Sequence, residues 1–374
     1  MKKRIYFENL DGLRFLCFLS VFFFHSFHTE HADILNSKTY HFLKKDVFGN
    51  GNIGVNFFFV LSGFLITYLL IEEKRLNGQV NLGRFWLRRI LRIWPLFYFC
   101  VFFGFVIFPW VKQAFGQVPN ETATPIYYLT FLNNFDFIQK GLPDSSVLGV
   151  LWSIAVEEQF YLIWPIILFL FPERKLWIPF VIILAGNLIF RAFNNKYIMH
   201  EYHSLSCIGD MTIGALGAWL MTVSDKFKKR IEGLSRMQIA GVYLVFIVIF
   251  FFRDELLMGN ATVRIFERLF IASCILLIIL EQTFAENSFF KMAKFKAISK
   301  LGIITYGLYC LHFIGILITT TLTKKLGVNT QLWQVFFIDT PVALLISVII
   351  CKLSYKYYET PFLKLKERFA YIIK

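Results

Sequence analysis

Apolar residues gather into ten long runs along this 374-residue chain, at roughly 10–29, 53–71, 93–112, 149–171, 177–193, 205–223, 239–253, 262–281, 301–322 and 332–353. Most approach the 20 or so residues that an α-helix needs to cross the hydrocarbon core of a bilayer. Lipid offers backbone groups no partners, so a spanning segment must satisfy them internally, as a helix does. The pattern therefore predicts an all-α fold, a polytopic transmembrane helical bundle of about ten helices. The run at 239–253 is short, and the run at 262–281 carries Arg264, Glu267 and Arg268, so these two depart most from an ordinary span. The longest outer polar segments are 30–52 and 113–148. The second of these is rich in turn formers, including Pro119, Asn120, Pro125, Asn133, Asn134, Gly141, Pro143 and Asp144, and is expected to cover an outward-facing pocket. No repeat or soluble segment interrupts the series, and 1–374 reads as a single membrane domain.

Composition agrees. Charged residues make up 17% of the chain, below the roughly 25% of soluble domains, which argues against a pair of soluble domains. The net charge of +14 raises the question of nucleic acid. Lys and Arg, however, concentrate in alternate polar segments, namely 1–9, 72–92, 172–176, 224–238, 282–300 and the tail after Leu353. The positive-inside rule places those segments, and both termini, in the cytoplasm. The basic excess is thus a topology signal, and no nucleic-acid partner is expected. Met1-Lys2-Lys3-Arg4 resembles the start of a signal peptide, but no small-residue cleavage site follows, so the first run is expected to remain as a span. The six cysteines fall in or at the edge of apolar runs without metal-ligand spacing, and read as small core residues with no metal site.

Charged and titratable groups inside apolar runs are costly and often functional. Arg14 and His25 share the first run. Eleven helical steps bring the second side chain to within about 20° of the first, roughly 16 Å further along the axis. One reading is an arginine reaching to the headgroups and a histidine bonded to a neighbouring helix. The other is a proton-transfer histidine, since imidazole titrates near neutrality. His28 and His31 lie nearer the outer loop.

Four further segments carry candidate chemistry. Phe85 to Pro95 holds Arg88, Arg89 and Arg92 in what reads as an inner loop leading into the third span. Arg89 and Arg92 share a helical face, suited either to bidentate phosphate binding or to plain interfacial anchoring. Ser153, Glu157 and Tyr161, each four residues apart, form one stripe. They read either as the polar wall of a cavity, with Glu157 orienting or charging a histidine, or as an acidic helix start favoured by the dipole. Ser62-Gly63 in mid-span permits close helix approach, and a serine nucleophile there lacks the sharp turn that exposes one. His312, beside Tyr306 and Tyr309, reads as a satisfied core group or a site residue.

Taken together these segments resemble the acyltransferase-3 family of bacterial integral-membrane acyltransferases. The matching pieces are Leu10-Asp11-Gly12-Leu13-Arg14 with His25 beyond it, the span from Phe57 to Ile66, Arg89 and Arg92, then Ser153, Glu157 and Tyr161, then Tyr306-Gly307-Leu308-Tyr309-Cys310-Leu311-His312, and finally Tyr357-Tyr358-Glu359-Thr360-Pro361-Phe362. In order, they cover nearly the whole chain. The resemblance implies about ten transmembrane helices in a bacterial inner membrane and transfer of an acyl group, often acetyl, from cytoplasmic acyl-CoA. The implied acceptor is a hydroxyl of a surface-directed carbohydrate or lipid-linked glycan. It implies an essential His25 supported by Arg14, with Arg89 and Arg92 near the donor. Some relatives add a soluble hydrolase-like domain. This chain ends at Lys374, soon after the last run, so a stand-alone acyltransferase domain is expected. On this reading Arg88, Arg89 and Arg92 hold the donor phosphates, and neutral His25 takes the acceptor proton. Glu157 stabilises the imidazolium. Ser153, Tyr161 and His312 contact the substrate, and a passage leads from the arginines to His25. The rivals are a secondary transporter of a small anionic or acylated solute, which would usually show paired interrupted helices, and a non-catalytic scaffold.

Overall fold

A computed structural model describes residues 3–373. Each of the ten apolar runs falls on a long helix: α1 (Glu8–Ser26), α2 (Ile53–Asn77), α3 (Leu82–Phe102), α4 (Trp152–Leu170), α5 (Trp177–Phe193), α6 (Ser204–Val223), α7 (Arg236–Arg253), α8 (Ala261–Phe284), α9 (Thr305–Lys325) and α10 (Thr340–Ser354). Among the described residues seven helical stretches are long and apolar enough to cross a membrane. An eighth is counted when Asp225–Glu232 and Arg236–Met258, which meet at 87°, are taken together. The other two, α1 and α8, are long enough but carry several charged residues. The expected bundle is therefore present as a polytopic all-helical membrane protein. Lys3–Arg4 pairs in parallel with Ile372–Ile373, so the two ends of the described chain lie at one end of the bundle.

Helix ends follow local chemistry. Gly78 adopts φ +78° after α2, a left-handed conformation that favours glycine. Three residues later the Asn81 side chain accepts from the Arg84 N–H and starts α3. The basic stretch read as an inner loop is consequently the first turns of α3, with Phe85 buried on one face and the arginines on another. Ser235 and Gln238 form a reciprocal capping box at the start of α7.

Close packing fixes the centre. A Cβ on Gly63 of α2 would collide with the Met211 carbonyl of α6, and one on Gly214 would collide with the Val60 carbonyl. The two backbones touch there, as the Ser62-Gly63 pair suggested. The charges on α8 are met from four other helical segments. Glu267 takes Arg191 of α5 at 3.1 Å and Arg253 of α7 at 2.7 Å. Arg253 also reaches Glu201 at 2.7 Å, while Arg268 binds Asp210 of α6 at 2.5 Å, and Asp210 accepts from Asn56 of α2 at 2.9 Å. The three arginines and three acids are all buried and sum to zero charge, which is how a charged segment becomes a core helix. All six cysteines are buried and unbridged, as expected of core residues.

Candidate functional site

Two cavities enter the bundle from opposite ends. The near cavity, about 490 Å³, opens beside Ile5, Tyr6 and Ala370 at the end holding the termini, and runs inward to Ser153 and Tyr309. The far cavity, about 270 Å³, is lined by His25, Thr29, Ser145, Thr320 and Lys324. Phe18 and Phe22 of α1, which line neither cavity, pack against His312 of α9.

The near cavity is basic at its mouth. Arg14, Arg88, Arg89 and Arg92 all line it, but they are not equivalent. Arg88 donates to Glu73 Oε2 at 2.8 Å and to the Phe369 carbonyl at 3.0 Å, so it is already engaged. Arg14 donates to Asp11 Oδ1 at 2.5 Å, and Asp11 also accepts from the Tyr6 hydroxyl. Burial, reinforced by the Asp11 carboxylate, pushes the Tyr6 hydroxyl up to about 12, so it stays a donor. Arg89 lies between the rings of Phe85 and Tyr161, with its guanidinium 5.4 Å and 5.3 Å from their centroids. Its Nε is buried without a hydrogen-bond partner. Among the described residues Arg92 forms no ion pair. Two arginines are thus left to face an anionic ligand, the donor set that phosphate oxygens suit.

Deeper in, hydroxyls and one acid line the wall. Ser62 Oγ donates to Glu157 Oε1 at 2.7 Å and meets the Tyr161 hydroxyl at 2.9 Å. Ser153 Oγ meets the Tyr309 hydroxyl at 2.6 Å, and Tyr309 also donates to the Val150 carbonyl at 3.1 Å. The stripe Ser153, Glu157, Tyr161 does face one cavity. Glu157, however, is bonded to Ser62 rather than to a histidine.

His25 belongs to the far cavity. Its Nδ1 is 2.9 Å from Nε2 of His312, and the two ring planes lie within 16° of parallel. His312 Nδ1 is 2.8 Å from the Tyr309 carbonyl. His312 is fully buried, lines neither cavity and lies against His25. The passage expected from the arginines to His25 reaches Tyr309, one hydrogen bond short of the histidine pair. Ser62 and Tyr309 are site residues that helical spacing alone did not select. Their signal is a hydroxyl on an otherwise apolar face, which sequence leaves indistinguishable from a packing residue. Ser145 Oγ, buried without a partner beside the far cavity, carries no sequence signal.

Seven or eight helices long and apolar enough to cross a membrane make this a multi-pass membrane protein. Residues 7–352 match the family model described as an acyltransferase domain, and the chain belongs to the acyltransferase-3 family. It is 25% identical over 381 residues to the O-acetyltransferase OatA of Staphylococcus aureus, covering 96% of this chain and 57% of that protein. A second Staphylococcus aureus protein whose name describes an O-acetyltransferase is 26% identical over 385 residues, covering 97% and 58%. The chain thus spans a little over half the length of the curated relatives it matches. No solved structure matches it.

Proposed function

We propose that this protein transfers an acyl group, acetyl in the first instance, from acyl-CoA to a carbohydrate hydroxyl of a surface polysaccharide or lipid-linked glycan across a bacterial inner membrane. The observation that carries this reading is the near cavity itself, which leads from two arginines without an ion pair, past a hydroxyl-lined wall, to Tyr309. The end with the termini is taken as cytoplasmic, in line with its basic segments. Acyl-CoA supplies the acyl group as a thioester. Arg89 and Arg92 hold its phosphates, while Arg88 braces the mouth through Glu73. Arg14 backs the cavity wall beside Arg92. The far cavity receives the acceptor, with Thr29, Ser145, Thr320 and Lys324 offering groups that bind sugar hydroxyls. His25 takes the proton of the attacking hydroxyl as the new C–O bond forms. The thioester must pass the closed layer between Tyr309 and His312 to meet the acceptor, and there the C–S bond breaks and the proton passes to the departing sulfur. Ser153 and Tyr309 close the head of the near cavity. Tyr161 and Glu157 shape its wall.

The test is incubation of the purified protein with labelled acetyl-CoA, followed by acceptor analysis. His25→Ala should abolish transfer and hydrolysis while leaving membrane insertion intact. Full activity in that variant removes His25 from the mechanism. Uptake of an anionic or acylated solute into proteoliposomes, with acetyl-CoA left unconsumed, supports the transporter instead.

A further inference from the structure

We propose that His312 is a positioning residue, holding His25 in the one neutral tautomer that points a bare nitrogen at the far cavity. The inference rests on the reading of His25 as the proton acceptor.

The argument is one of hydrogen count. His312 Nδ1 lies 2.8 Å from the Tyr309 carbonyl, one turn back on α9. A carbonyl oxygen only accepts, so the hydrogen is on His312 Nδ1. A neutral imidazole has a single N–H, so His312 Nε2 presents a lone pair. That lone pair faces His25 Nδ1 at 2.9 Å, and the contact is a hydrogen bond only if His25 Nδ1 carries a hydrogen. The same rule leaves His25 Nε2 bare. Among the described residues that atom has no hydrogen-bond partner, and His25 lines the far cavity.

The charged alternative, an imidazolium at His312 donating to His25, has no support from its surroundings. Phe18, Phe22 and Phe313 pack around the His312 ring. Among the described residues no carboxylate pairs with either histidine, and an unpaired buried charge is costly. Phe313 lies 4.8 Å from the His25 ring and 4.7 Å from the His312 ring, so one side chain locks both orientations. When His25 gains a proton at Nε2, its Nδ1–H remains donated to His312, which steadies the imidazolium without accepting the proton. This is the orienting role that a buried acceptor plays behind a catalytic histidine.

Solid-state nitrogen NMR of protein labelled at the histidine ring nitrogens tests the tautomer in the wild-type chain. The His25 signals are assigned by their loss in His25→Asn. A hydrogen on His25 Nδ1 at neutral pH is expected, and a hydrogen on Nε2 overturns the proposal. Kinetics supply the second arm. His312→Leu removes the acceptor and should lower kcat about 10²-fold with the KM for acetyl-CoA unchanged. His312→Gln, whose amide oxygen reaches the place of Nε2, should recover to within about 10-fold of wild type. Wild-type kcat in His312→Leu, or a His312→Gln no better than leucine, overturns the proposal. If either variant fails to fold, the wild-type spectrum still decides. Full activity in His25→Ala would instead sink the reading of His25 and leave the tautomer result standing by itself.

Discussion

Ser62 Oγ donates to Glu157 Oε1 over 2.7 Å, joining α2 to α4 inside the near cavity. The bond connects residues 95 positions apart, so the polar wall depends on two helices keeping their register. Ser62→Ala leaves that carboxylate oxygen without its donor, at a cost of about 1–3 kcal/mol. The expected result is a kcat/KM for acetyl-CoA lowered roughly 10-fold, with Ser62→Thr close to wild type. Steady-state kinetics on the two variants check it, and equal loss in both would mean that bulk rather than the hydroxyl matters.

Arg88 and Arg89 should separate stability from donor binding. Arg88→Ala leaves Glu73 buried and unpaired and should destabilise the protein by about 3 kcal/mol. Arg89→Ala should leave thermal stability near wild type and weaken acetyl-CoA binding roughly 10-fold to 100-fold, the value of one or two charge-assisted bonds. Thermal unfolding in detergent and calorimetric titration with CoA distinguish the two. Interchanged phenotypes would reverse the assignment.

The glycine contact between α2 and α6 should tolerate nothing larger. Gly63→Ala and Gly214→Ala each place a methyl group against a backbone carbonyl that cannot rotate away. Overpacking of this kind costs about 1–3 kcal/mol and sometimes more. Both variants should unfold at lower temperature, whereas Gly186→Ala, with open space around its Cβ position, should not.

Glu267 accepts from both Arg191 and Arg253. Glu267→Ala leaves two buried guanidinium groups short of an anion and should cost about 3–5 kcal/mol. The loss should appear in the unfolding midpoint and in yield. Acetyl-CoA KM measured on the surviving folded fraction should stay unchanged, and a raised KM would tie this cluster to the near cavity.

Hydropathy carries most of the architecture, because a helix facing lipid is apolar over most of its length whatever its neighbours do. It could not carry the pairing of charges. Glu267 and Arg268 made α8 look doubtful as a span because their partners come from distant segments. Arg88 and Arg89 are adjacent and chemically identical in the sequence. What separates them is Glu73, fifteen residues earlier, and the Phe369 carbonyl, 281 residues later. Arg14 and His25 read from the sequence as features of one helix, and helical geometry does not show that they border different cavities. His312 reads from the sequence as a substrate contact. Its place behind His25 depends on a contact across 287 residues, which no periodicity encodes.

The burial of every native thiol gives a practical handle on orientation. A cysteine introduced at exposed Lys324, or at exposed Lys364, would be the one sulfhydryl open to a membrane-impermeant maleimide, with no cysteine-free background to build first. Labelling of intact cells at one of these positions and not the other would show which end of the bundle meets the outside.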